Sequence, residues 1–207
     1  MRLRVWDLAI ERGGRRLFKG LSFEADQGSA LIVTGPNGAG KSSLLRALCG
    51  FLPVEAGGFV FEGGDPERTV GEEAHYLGHA DALKGALSAG ENLAFFAGAL
   101  GGDPSREASR AALSRVGLAH VIDFPVRALS AGQKRRVALA RLLVARRPLW
   151  LLDEPTTALD AAAQAAFAAI LRSFLDAGGI LVAATHAPLG LANARELRLG
   201  AGEGSAA

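Results

Sequence analysis

Sulfur and aromatic rings are scarce in this sequence. Its 207 residues include one cysteine, one methionine, one tyrosine and two tryptophans. A single cysteine closes no internal disulfide, so packing rather than cross-linking must hold the fold. Cys49 sits in the apolar run Leu44-Leu45-Arg46-Ala47-Leu48-Cys49 and reads as a small buried hydrophobe. No stretch approaches the roughly 18 apolar residues of a membrane span. The opening MRLRVWDLAIERGG lacks the apolar core of a signal peptide. The expectation is a chain kept in the cytoplasm and held at any membrane by something else. A charge excess is also missing: 23 Lys and Arg face 21 Asp and Glu, a formal +2. Without a dense basic stripe, nucleic acid is not an expected partner. The one basic cluster, Lys134–Arg136 followed by Arg141, Arg146 and Arg147, reads as a solvated helix face.

What is present suits a folded domain. Hydrophobic residues make up 49% and charged residues 21%, near the average for globular chains and enough for a proper core. The 27 glycines follow no repeat and read as loops and tight turns. Residues 3–10 and 17–25 carry strand-like spacing around a Gly13-Gly14 turn. ALIVT at 30–34 is a short buried strand, followed by GPNGAGKSS and a helical pattern over 43–49 that closes at Gly50. Residues 58–62 and 74–77 predict two more strands.

From 79 to 147 the pattern is helical. Ser88-Ala-Gly-Glu91 and Ser130-Ala-Gly-Gln133 both match the capping box, and 106–116 is a further helical run. Strand character returns at 149–152 and 180–185, separated by an alanine-rich helix over 161–177 that stops at Gly178-Gly179. The tail GAGEGSAA has nothing to pack and is expected to fray. The whole predicts α/β architecture: one domain over 1–207, with a core of 1–78 and 148–207 around a mainly parallel sheet, an N-terminal antiparallel part, and a helical insert over 79–147.

Three features carry chemistry. Gly35-Pro36-Asn37-Gly38-Ala39-Gly40-Lys41-Ser42, with Ser43 behind it, fits G-x-x-x-x-G-K-[ST] between a strand and a helix. Glycines let successive N–H groups turn inward around an anion, and the helix N-terminus adds partial positive charge. Lys41 is placed for the β- and γ-phosphates and Ser42 for Mg²⁺. Asp153 and Glu154 end a strand, where ligands gather in α/β sheets. Asp153 reads as the Mg²⁺-side carboxylate and Glu154 as the group that polarises an attacking water. His186 also follows a strand and can hold the γ-phosphate and orient that water. Together they indicate a nucleoside triphosphatase with ATP and Mg²⁺.

Leu129-Ser130-Ala131-Gly132-Gln133, 20 residues before Asp153, narrows the class. With this spacing the chain resembles an ABC transporter nucleotide-binding subunit, whose signature is LSGGQ; Ala131 replaces one glycine. The resemblance covers nearly the whole chain. It implies a P-loop NTPase core and a homodimer formed on ATP binding, in which Ser130, Ala131, Gly132 and Gln133 bind the partner copy's nucleotide. It also implies that Asp160, in Thr157-Ala158-Leu159-Asp160, is the D-loop aspartate crossing that interface. His79 stands where the family has its Q-loop glutamine; an imidazole there can hydrogen-bond water but suits direct metal contact poorly. The family places an aromatic against adenine ahead of the phosphate loop, and Ile10-Glu11-Arg12 offers none. Arg12 could stack by its guanidinium face, with loose selectivity for ATP over GTP. Leu87-Ser88-Ala89-Gly90 repeats the start of the signature, but Glu91 follows, and a carboxylate repels phosphate; that segment reads as a helix cap only.

Within the family, the short chain, the run YLGHADALKGALSAGENLAFF and the missing aromatic resemble the branch serving c-type cytochrome biogenesis, the haem exporter ATPases. That branch implies an integral-membrane permease subunit of the CcmB type, further cytochrome c maturation proteins, and a peripheral place on the cytoplasmic side of the inner membrane. ATP hydrolysis there would drive haem export or release of a haem-loaded chaperone. The chain has no C-x-x-C-H motif, so no direct haem binding is expected. Leu93, Phe95 and Phe96 are placed either to grip a cytoplasmic helix of the permease or to pack the helical insert internally. Three other readings stay open: the ATPase subunit of an exporter for another small substrate, a soluble ABC-type ATPase not linked to transport, and a non-catalytic nucleotide-binding module.

Overall fold

The computed structural model describes residues 1–200. The expected fraying of the final tail falls almost wholly on 201–207, which lie outside the described residues. The chain forms two compact units. The first comprises Met1–Gly78, Arg147–Glu154 and the chain from Arg172 onward; the second comprises His79–Arg146 and Pro155–Leu171.

In the first unit, strand β1 (Arg2–Arg12) turns at Gly13-Gly14 into β2 (Arg15–Asp26). Their antiparallel register runs from Arg2 opposite Asp26 to Arg12 opposite Arg15, with β4 (Ala56–Glu62) on the other side of β1. Alternation puts Leu3 and Val5 inward, and an irregularity around Asp7, whose φ is +47°, shifts the phase by one residue so that Leu8 and Ile10 face inward too. The second sheet is parallel throughout, in the order β5 (Ala74–Leu77), β6 (Leu149–Asp153), β7 (Ile180–Ala184), β3 (Ala30–Thr34), β8 (Arg195–Arg198). Every residue of β6 and β7 is buried, as a parallel strand covered on both faces requires.

One core serves both sheets. Helix α1 (Lys41–Leu48) contributes Leu44, Leu45 and Leu48, which meet the inward residues of β1 and β2 and the Leu31, Leu149, Leu151 and Val182 side chains of the parallel sheet. Trp150, on β6, stacks on Phe174 with ring centroids 3.9 Å apart at 8°. Cys49 belongs to the core, and burial pushes its thiol up to about 12, so it stays protonated and inert at neutral pH.

Strand β8 carries no signal in the sequence. Arg-Glu-Leu-Arg has one apolar residue, Leu197, and that residue alone is buried. Its position as an edge strand beside β3 explains the composition, because the remaining side chains face outward.

The second unit is helical. Helices α2 (Ala89–Leu100), α3 (Arg106–Arg115) and α4 (Ala131–Ala140) pack around Leu93, Ala97, Leu113 and Val137, with three short 3-10 turns between and after them. Pro155–Leu171 adds the first part of α5 (Ala161–Asp176). One alternative left open by the sequence is decided here, and one sequence reading needs correcting. Of the three apolar residues, Leu93 is fully buried and packs internally, Phe96 is half-buried, and Phe95, at 53% exposure, keeps an open aromatic surface, as does Phe124. The basic cluster is not one solvated face: Arg135 and Arg141 are 4% and 6% exposed, while Arg146 is exposed and Lys134, Arg136 and Arg147 are half-buried.

Both capping boxes form. Ser88 Oγ accepts the Glu91 N–H at 3.1 Å, and the Glu91 carboxylate accepts the Ser88 N–H at 2.7 Å. That backbone bond holds the Glu91 carboxyl below its ordinary range. Ser88→Ala removes one of the two bonds and should lower the stability of the helical unit by about 1 kcal/mol. The check is a urea melt followed by amide exchange on α2, and an unchanged midpoint would contradict the cap.

Candidate functional site

Strand β3 ends at Thr34, the loop 35–40 turns, and α1 begins at Lys41. The helix starts on Gly40, whose φ of +100° a side chain rarely adopts, and no side chain caps it. No acid lies in the first turn. The opening amides and the helix dipole are therefore directed at whatever anion occupies the loop. Lys41 is 9% exposed, and its ammonium donates to the Gly35 carbonyl at 2.7 Å and the Pro36 carbonyl at 3.2 Å. The amine is thus held over the loop. Pro36, Asn37 and Gly38 are exposed, Gly35, Ala39, Gly40 and Ser42 are half-buried, and Ser43 is buried in the core side of α1.

An aromatic does reach this loop, from a place the sequence did not single out. Phe18, on β2 opposite Ile10, lies so close that a Cβ on Gly40 would sit 3.0 Å from its ring. Arg12 is exposed at the end of β1 beside the hairpin turn.

Strands β6, β7 and β3 are successive neighbours in the parallel sheet, so their carboxyl ends bring Asp153, Glu154, His186 and the phosphate loop to one edge. Asp153 is 4% exposed and pairs in register with Ala184. Half-buried Tyr76 accepts a hydrogen bond from Arg46 Nε at 3.4 Å, and burial, with the charge of Asp153, raises its pKa. At Glu154 the backbone turns sharply: φ is +46°, in the left-handed region, and its N–H donates to the Ala184 carbonyl at 2.8 Å. Such strain persists only where surroundings enforce it, and it gathers at functional corners. Glu154 Oε2 also accepts the Thr185 hydroxyl at 3.2 Å. Thr185, 1% exposed, was missed by sequence reasoning; its only signal was a polar residue at the end of an apolar strand, next to His186. His186 is exposed and lines an open cleft of about 530 Å³ with Thr34, Gly35, Pro36, Glu196 and Arg198.

In the second unit, Ser130 caps α4: its Oγ accepts the Gln133 N–H at 3.2 Å, and its own N–H donates to Gln133 Oε1 at 2.9 Å. The cap is the same as that on α2, with one difference. The first turn of α2 contains Glu91, which neutralises the helix end, while the first turn of α4 contains no acid. Of the two look-alike segments, only the one at Ser130 keeps a terminus suited to an anion. Ser130 and Ala131 are exposed, so a methyl group at 131 displaces nothing within the protein. A Cβ at Gly132 would lie 2.9 Å from the Ala158 carbonyl, so the segments 130–133 and 157–160 touch. Asp160 Oδ1 accepts the Ala163 N–H at 2.7 Å, which makes it the cap of α5. His79 is exposed, at the start of this unit.

The donor set suits a hard divalent cation. A hydroxyl such as that of half-buried Ser42 and a buried carboxylate such as that of Asp153 are hard oxygen donors that would leave most of an octahedral shell to other oxygens, the arrangement Mg²⁺ favours.

The model of the family described as ABC transporter matches residues 18–157. A protein of Nitrobacter winogradskyi named cytochrome c biogenesis ATP-binding export protein CcmA is 58% identical over 200 residues, covering 97% of this chain and 98% of its own. A Rhodopseudomonas palustris protein of the same name is 56% identical over 194 residues, covering 94% and 96%. The solved structure of a putative ABC transporter ATP-binding protein from Pyrococcus furiosus superposes with a TM-score of 0.84 at 21% identity, covering 96% of this chain and 98% of that one, which shows the shared fold. The chain belongs to the ABC transporter family, and within it to the cytochrome c biogenesis ATP-binding export proteins, the CcmA family.

Proposed function

We propose that this chain is the ATP-hydrolysing subunit of a membrane export complex serving c-type cytochrome biogenesis. The observation that carries the reading is the single sheet edge on which the phosphate loop, Asp153, Glu154 and His186 converge. The chemistry is in-line attack of water on the γ-phosphorus, where positioning and charge stabilisation supply most of the catalysis. Backbone N–H groups of the loop and of the first turn of α1 cradle the phosphates, Pro36 having none to give, and Lys41 neutralises charge on the β- and γ-groups. Ser42 and Asp153 would hold Mg²⁺, which when bound would offset charge developing on the phosphate oxygens. Glu154 takes the proton of the attacking water, with Thr185 restraining its carboxylate. His186 holds the γ-phosphate from the other side.

The second copy of the chain completes the site through the N-terminus of α4, where Ser130, Ala131, Gly132 and Gln133 face the γ-phosphate, and through Asp160. His79 serves the attacking water by hydrogen bonding. The base lies beside Phe18 and Arg12, on either side of the hairpin. The chain works on the cytoplasmic face of the inner membrane, peripherally, against a CcmB-like permease and further maturation proteins. Phe95 on α2 is an open aromatic through which the permease is engaged.

The test is to co-express the chain with its neighbours, extract the membranes in detergent and isolate it by a tag. The expected result is magnesium-dependent phosphate release from a complex containing a multi-span protein, with visible absorption from a haem-bearing component. Absence of phosphate release in the presence of that partner would overturn the reading. Recovery of a different exporter's permease would redirect it to another cargo.

A further inference from the structure

The basic cluster that begins on α4 and runs past it is not absorbed by the nucleotide site, and two of its arginines, Arg135 and Arg141, are buried. Arg135 is the fifth residue of the helix that Ser130 caps, and two of its donor nitrogens reach to different places. Its Nε donates to the Pro155 carbonyl at 3.1 Å, and its Nη1 donates to Asp81 Oδ1 at 2.9 Å. The side chains of the ion pair are 4% and 27% exposed. All three residues lie within the second unit.

The two partners stand at the points where the chain enters that unit. Asp81 is two residues after His79, the first residue of the unit; Pro155 is the first residue on re-entry, directly after Glu154. Arg141, further along the same chain segment, lies over the Phe96 ring at 4.5 Å, and Asp81 and Arg135 both bear on its charge. A buried ion pair of this kind is weak evidence for stability, since apolar replacements often do as well. What it supplies is a fixed arrangement. A guanidinium can serve two acceptors in diverging directions at once, which an ammonium on a flexible stem does poorly.

We propose that Arg135 is a positioning residue for ATP hydrolysis: it ties the signature-bearing helix to the segment after His79 and to the residue after Glu154, so that these three move as one piece. A phosphate drawn to the N-terminus of α4 then pulls on Asp81 and Pro155 through a single side chain. The carboxylate of Glu154 is connected to that pull through one strained peptide corner. The inference rests on the reading of Ser130–Gln133 as phosphate-facing.

Three variants of the full chain with its membrane partner test it: Arg135→Gln, Arg135→Lys and Asp81→Asn. Arg135→Gln should lower kcat about 10- to 100-fold while KM for MgATP stays within about twofold, because misplaced groups cost turnover rather than ground-state binding. Arg135→Lys keeps the charge but serves one acceptor and should recover part of the loss; Asp81→Asn should lower kcat less than Arg135→Gln does. The second readout is amide exchange with a non-hydrolysable ATP analogue. In the unaltered chain, the analogue should protect 130–133, 79–84 and 155–160 together. In Arg135→Gln, protection at 130–133 should persist and that at 79–84 and 155–160 should be lost. Coupled protection in Arg135→Gln, or an unchanged kcat in all three variants, overturns the proposal. Absence of protection at 130–133 in the unaltered chain removes the underlying signature reading as well. Should Arg135→Gln fail to fold, the lysine and asparagine variants still decide the matter through the same kcat and exchange readouts.

Discussion

Glu154→Gln should lower the rate of phosphate release by about 10²- to 10⁴-fold, the range expected when a general base is removed. The substitution is nearly isosteric. An amide oxygen at the same place still accepts the Thr185 hydroxyl, which lies 3.2 Å from the carboxylate, and the main chain still donates from residue 154 to the Ala184 carbonyl at 2.8 Å. The left-handed corner at φ +46° is therefore kept, and with it the positions of Asp153 and Pro155 on either side. The phosphate loop and Lys41 are untouched, so nucleotide affinity should stay within a few-fold. Thr185→Val tests the same site from behind: it removes the restraint but leaves the base, and should cost less than the glutamine variant. Turnover is read by phosphate release and affinity by a fluorescent ATP analogue. Unaltered turnover in Glu154→Gln would remove the general-base role and revive the reading of a nucleotide-binding module that does not hydrolyse.

The parts of this site that were legible in the sequence share one property: each is local. The phosphate loop is eight consecutive residues whose function follows from backbone amides, so its spacing alone defines it. The capping boxes at Ser88 and Ser130 are contacts between residues three apart, and both form as written. Strands 30–34 and 74–77 were legible to the residue, because a buried parallel strand is an apolar run cut off by turn residues. What escaped is what depends on sequence-distant neighbours. Thr185 is an unremarked polar residue until β6 lies beside β7 and brings Glu154 to it. Arg135 and Arg141 read as solvated because helical periodicity does not reveal that Asp81, 54 residues from Arg135, and Phe96 face them. Strand β8 has a single buried side chain and is held by register against β3, which no periodicity can announce.

That unannounced strand gives Gly35 its importance. Leu199, just past β8, donates its N–H to the Thr34 carbonyl at 2.9 Å, so the pairing of β8 with β3 runs up to the first residue of the phosphate loop. The Leu199 carbonyl then faces Gly35 so closely that an added Cβ would sit 2.3 Å from its oxygen. The Gly35 φ of +133° is also one that L side chains avoid. Gly35→Ala thus combines backbone strain of about 1–3 kcal/mol with an overpacking cost of about 1–3 kcal/mol. Against a total stability of about 5–15 kcal/mol, that is a large loss. Relief requires either β8 to leave β3 or the loop to shift. A shifted loop moves the Gly35 and Pro36 carbonyls that hold the Lys41 ammonium at 2.7 and 3.2 Å. The expected result is a clearly lowered melting temperature together with a loss of ATP affinity of about 10- to 100-fold, since small displacements of positioning groups are costly. Gly50→Ala is the control: its φ of +77° is also positive, but no atom lies within 4 Å of the added carbon. That variant should lose about 1 kcal/mol of stability and bind ATP as before. If Gly35→Ala bound ATP as tightly as Gly50→Ala does, the bracing of the phosphate loop by the terminal strand would be refuted.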